Sequence, residues 1–137
     1  MANDMSDPNA KGPNNWPVIF DAIEAEDHAR LKSLLDSGAD IEIKGFQGAT
    51  PVLAAAVIED WPTVLYLLQR GARPGVADKR GFTLPYLAAK SRVDLDGRYG
   101  KALADVRKIL NDRGLMGQYY EPAEVRKRMN EGRWPPR

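Results

Sequence analysis

Gly48 to Ala56 read GATPVLAAA, a Thr-Pro pair set directly before an apolar run rich in alanine. A single copy would be no more than a good helix start: Thr50 as the cap through its hydroxyl oxygen, and Pro51 in the first turn, where its missing N–H costs nothing. The stretch decides the fold because it recurs. Thr50 opens TPVLAAA and Thr83 opens TLPYLAA, an offset of 33, and each is preceded two places earlier by a glycine, Gly48 and Gly81. SLLDSGAD, ending at Asp40, and YLLQRGAR, ending at Arg73, share that offset. Counting back by the same interval from Thr50 reaches Pro17, which opens PVIFDAI. A period of this length marks stacked supersecondary units.

Each unit reads as two helices. The first is nearly bare at Ala54–Ala56 and Ala88–Ala89, so a neighbouring helix can approach closely. The second takes Asp27 or Asp60 as its cap and carries Leu31, Leu34 and Leu35, or Val64, Leu67 and Leu68. Such i, i+3, i+4 spacing makes one buried stripe. Gly38 and Gly71 come next as stops, because glycine takes the left-handed conformation cheaply.

These residues, with Asp78 to Ala89 (DKRGFTLPYLAA), resemble ankyrin repeats over roughly residues 16–115. The resemblance implies an all-α fold: a solenoid of helix–turn–helix units with β-turn or hairpin fingers, closed by a C-terminal capping helix. The units expected are about 15–47, 48–80 and 81–115, after a flexible tail at 1–14 and before a cap and basic tail at 116–137. Two departures stand out. Family members usually carry a histidine after the Thr-Pro-Leu opening, but Phe20, Leu53 and Tyr86 hold that place here. The third unit is also ten residues too long, since Gly114 follows Gly71 by 43; the excess is placed in an insertion at 91–101, SRVDLDGRYGK. Glu121-Pro122 starts a last helix, with Val125 and Met129 expected to dock on the final unit beside Tyr119, Tyr120 or Trp134.

Composition narrows the chemistry. The chain has 137 residues, no cysteine and one histidine. Disulfides, thiolate metal sites and a Cys nucleophile are excluded, and one His builds no ordinary zinc site. No run approaches the ~18 apolar residues of a membrane span, and the polar N-terminus does not read as a signal peptide. Both fit a cytoplasmic protein. Charge is unevenly spread: residues 1–45 hold four Lys/Arg against nine Asp/Glu, and residues 70–137 hold sixteen against eight.

The remaining motifs read blandly. Glu24, Glu26, Asp27 and His28 cluster beside an inter-helix turn, without the paired-carboxylate pocket that acid–base catalysis needs. Asp94–Gly97 (DLDG) resembles the opening of a calcium loop, but Arg98 and Asp105 break the ligand pattern. Gly97 and Gly100 offer a flexible loop rather than a phosphate cradle. The basic VRKRMNEGRWPPR offers nucleic acid some phosphate contacts, but its three consecutive cations do not share one helix face.

No catalytic residue, cofactor or metal is expected. The resemblance instead implies protein binding by a concave face built from turn tips and the flank of each first helix. By register that face holds Lys44, Phe46, Gln47, Ala49, Val57, Ile58, Ala77, Lys79, Arg80, Phe82, Lys90 and Ser91, with Glu24 and Ala25 from the first unit. Phe46, Val57, Ile58 and Phe82 would form an apolar centre, and the cations a rim suited to an acidic partner surface. The expectation is a non-enzymatic module for one protein partner, an adaptor or an inhibitor of the immunity-protein kind; nucleic-acid binding through the C-terminal segment is the alternative. The sequence leaves the oligomeric state open.

Overall fold

A computed structural model describes residues 7–117 and 119–135. The regular elements among them are helical: α1 (Val18–Glu24), α2 (His28–Asp36), α3 (Pro51–Val57), α4 (Trp61–Gln69), α5 (Leu84–Lys90), α6 (Arg98–Asp112) and α7 (Pro122–Asn130). The chain is all-α, with only two isolated antiparallel bridges among the described residues, Lys11 to Pro17 and Ala77 to Thr83.

The sequence period reappears in backbone geometry. The short helices α1, α3 and α5 begin at Val18, Pro51 and Leu84, each one period after the last, and α2 and α4 begin one period apart at His28 and Trp61. Before each of the three short helices the chain makes the same turn. Gly12, Gly45 and Asp78 donate their N–H groups to the carbonyls of Trp16, Ala49 and Phe82. Asn15, Gly48 and Gly81 take positive φ at the same place in each turn. The first turn therefore draws residues 7–14 into ordered structure, where a flexible tail was expected; residues 1–6 of that tail lie outside the described residues. The segment is tied further by Val18 N–H to Ala10 C=O, and by Asp40 N–H to the Asn9 side chain at 2.7 Å.

Helix ends follow local chemistry. Asp27 and Asp60 cap α2 and α4, accepting from Arg30 N–H and Thr63 N–H. α2, α4 and α6 stop alike: the N–H groups of Ala39, Ala72 and Leu115 return to the carbonyls of Leu34, Leu67 and Leu110 around a left-handed glycine, which satisfies carbonyls that a bare helix end leaves open. Thr83 caps α5 through its hydroxyl, bonded by Tyr86 N–H at 3.3 Å. Thr50 does not cap α3 in this way; its Oγ1 is buried without a partner.

α3 packs on both α1 and α5, while α6 packs on α4 and α5. One core results, centred on Val52, Leu53, Trp61, Val64, Leu67, Leu84, Leu103 and Val106, all fully enclosed. Ala55 and Ala88 are also fully buried, as close helix approach requires.

The insertion is only partly loop. Residues 91–97 connect α5 to α6, and Arg98–Lys101 extend α6 to 15 residues against nine in α2 and α4. The loop folds onto Gly100, where a Cβ would come within 2.1 Å of the Asp94 carbonyl; that glycine serves packing. α7 docks on the third turn: Val125 is fully buried, Arg126 Nη1 donates to Arg80 C=O at 2.7 Å, and the Pro122 carbonyl lies against Gly81. No helix among the described residues is long and apolar enough to cross a membrane.

Candidate protein-binding groove

The first two turns and the helices behind them enclose a groove of about 330 Å³. Its floor is Phe20 of α1, a buried ring held so close under Gly45 that a Cβ there would meet it at 2.8 Å. One wall is aromatic. Trp16 of the first turn and Phe46 of the second stand perpendicular, with ring centroids 6.4 Å apart. The other wall is α3, through Ala54 and Val57, continued by its C-cap Ile58. Glu24, the last residue of α1, and Arg80, from the third turn, bring the charge.

Large apolar side chains are unusually open here: Trp16 is 41% exposed, Phe46 59%, Val57 40% and Ile58 45%. Contiguous apolar exposure marks binding surfaces more often than scattered residues do. The wall is also braced. Lys79 N–H donates to Gln47 C=O at 2.8 Å, tying the second turn to the third.

The expected site residues divide. Phe46, Val57, Ile58 and Arg80 line the groove. Phe82 does not. It is half-buried, stacked on Tyr86 with centroids 6.1 Å apart, and it reaches the groove only through Arg80, whose guanidinium lies 5.7 Å from the Phe46 centroid and 4.7 Å from that of Phe82. Lys44, Gln47, Lys79 and Lys90 are exposed. Lys90 leans over Tyr86 and Tyr119, 3.9 Å from Glu121. Ser91 is committed inward: its hydroxyl donates to Glu59 at 2.6 Å and accepts from the Trp61 indole at 3.1 Å.

Sequence reasoning missed Trp16, because a polar segment precedes it and its partner Phe46 comes only in the following turn. The available signal was register, since Trp16 lies two full periods before Phe82 and so occupies the same turn position two units earlier.

The acidic cluster is split among separate tasks. Glu24 faces the groove, Glu26 accepts from Tyr99, and Asp27 caps α2. The Thr63 hydroxyl donates to Asp60 at 2.7 Å and accepts from His28 Nε2 at 2.9 Å, so the histidine braces α2 against α4. Among the described residues, no group of three or more His, Cys, Asp or Glu side chains is placed to hold a metal ion. Comparison with protein-family models and with curated proteins gives no match for this chain.

Proposed function

We propose that the chain is a three-unit ankyrin-type module, without catalytic activity of its own, that grips one protein partner in the Trp16–Phe46 groove. The observation that carries this reading is the apolar strip of Trp16, Phe46, Val57 and Ile58, exposed around one braced concavity. Aromatic side chains in such settings are the usual anchors of protein interfaces. The regular recurrence of turn, short helix and capped second helix supports the repeat assignment. Exposed Lys44 directly precedes the second turn and exposed Lys79 lies in the third, bonded back to Gln47, which favours a partner whose surface around its anchor is acidic. A small cytoplasmic module of this kind suits an adaptor or an inhibitor that occupies a partner enzyme's site.

The rival, nucleic acid on the C-terminal segment, has weaker support. Arg126 is spent on the Arg80 carbonyl, Arg128 on Glu124 and Arg133 on Glu131, which leaves few cations for phosphates.

The test is affinity capture from native extract followed by titration of the purified partner. Phe46→Ala, with Trp16→Ala in parallel, is expected to weaken binding about thirtyfold or more, the scale of losing a central anchor. Lys44→Glu with Lys79→Glu is expected to slow association and flatten its salt dependence. A partner that binds all these variants like the unaltered chain would refute the assignment of this surface.

A further inference from the structure

The charge inside the groove differs from the charge around it. Arg80 is neutralised: both its Nε and Nη2 donate to Asp78 Oδ2, at 2.9 and 2.7 Å, and Asp78 is buried. Its guanidinium is thereby held over Phe46 and Phe82 as part of the wall. Glu24 is in the opposite condition. It is exposed, lines the groove, and takes part in none of the ion pairs among the described residues. The uncompensated charge in this apolar concavity is therefore negative.

The perpendicular rings of Trp16 and Phe46 form two sides of a corner. Aromatic faces attract cations through their quadrupole, most strongly where water is excluded. A corner of two rings, an apolar opposite wall and one free carboxylate together fit an alkylammonium group on an apolar stem. We propose that the partner inserts a lysine side chain here, its methylenes against Val57 and Ile58 and its ammonium between the Trp16–Phe46 corner and the Glu24 carboxylate. This rests on the protein-binding reading and adds the identity of the inserted group. It also separates two electrostatic roles: the lysine rim meets acidic residues around the insertion point, while Glu24 selects the cation at its centre.

The experiment uses the full chain and two heptapeptides, each with acidic flanks. One has lysine at its centre and the other norleucine, which keeps the stem and replaces the ammonium with a methyl. Binding is followed by NMR through the Trp16 indole N–H. The lysine peptide is expected to bind about tenfold more tightly, and Glu24→Gln to abolish that preference. Glu24 is exposed at the end of α1, so the variant should keep its fold; Phe46→Leu, which retains bulk without a ring, is a second variant expected to reduce the preference. Norleucine binding as well as or better than lysine overturns the proposal while leaving the groove as an apolar docking site. A lysine preference that survives Glu24→Gln, or the failure of both peptides to perturb Trp16, also overturns it. The partner reading itself stands or falls on the separate Phe46→Ala titration.

Discussion

The Tyr99 hydroxyl donates to a Glu26 carboxylate oxygen at 2.9 Å, joining the start of α6 to the turn between α1 and α2. The bond favours the neutral phenol. Together with lesser contributions from burial and the Glu26 charge, it raises the Tyr99 pKa above its ordinary value. A raised folded-state pKa places the stabilisation below the ordinary tyrosine value of about 10 and removes it as pH rises through the folded value. Tyr99→Phe is therefore expected to be less stable than the unaltered chain at neutral pH, and the gap to close in alkali. Urea denaturation across that range, with ultraviolet titration of the phenols, checks both points; a gap that widens with pH would contradict the assignment.

Thr50 and Thr83 occupy the same place in successive units but do different things. Thr83 accepts Tyr86 N–H, whereas the buried Thr50 hydroxyl has no partner. Thr83→Val is expected to cost about 0.5–2 kcal/mol, the usual loss for a helix cap. Thr50→Val should be close to neutral or stabilising, because it removes an unpaired buried polar group without changing shape. Equilibrium unfolding of the two variants compares them directly, and equal losses would show that Thr50 also caps.

Glu59 gathers three donors: Ser91 hydroxyl at 2.6 Å, Trp61 indole at 2.9 Å and Arg92 N–H at 3.3 Å. It does so from a left-handed backbone with φ of 64°, a conformation that costs a non-glycine residue about 1–2 kcal/mol. Glu59→Ala keeps that cost and loses the acceptor, so about 1–3 kcal/mol of destabilisation is expected. Ser91→Ala, which leaves the Glu59–Trp61 bond in place, should lose less. Chemical denaturation with Trp61 fluorescence reports both; a larger loss for Ser91→Ala would reverse the proposed hierarchy.

Gly81 carries the docking of α7. A Cβ there would come within 2.2 Å of the Pro122 carbonyl, and φ is 89°. Gly48, at the same turn position with φ of 72°, would meet only the flexible Lys79 side chain, at 3.4 Å. Gly48→Ala is expected to show the backbone cost alone, about 1–2 kcal/mol. Gly81→Ala should also detach α7, seen as lost amide-exchange protection at Val125. Retained protection at Val125 in Gly81→Ala would mean that α7 is held elsewhere.

Sequence alone determined the helices and their period, because the signals involved act within a few residues. Asp27 and Asp60 cap the helices that begin beside them, Gly38 and Gly71 stop the helices that end there, and leucines at helical spacing make a stripe wherever they occur. The exposure of Phe46, Val57 and Ile58 was legible by the same register. Tertiary structure decided which of these side chains meet. Trp16 joins Phe46 because two turns stand side by side, Phe82 leaves the groove for Tyr86, and Ser91 turns inward to Glu59 and Trp61. It also settled that α7 rests on the third turn, where Gly81 leaves room for a carbonyl. Local signals fix backbone conformation over one or two helical turns; side-chain partners from different units depend on how those units pack, and no short stretch of sequence encodes that.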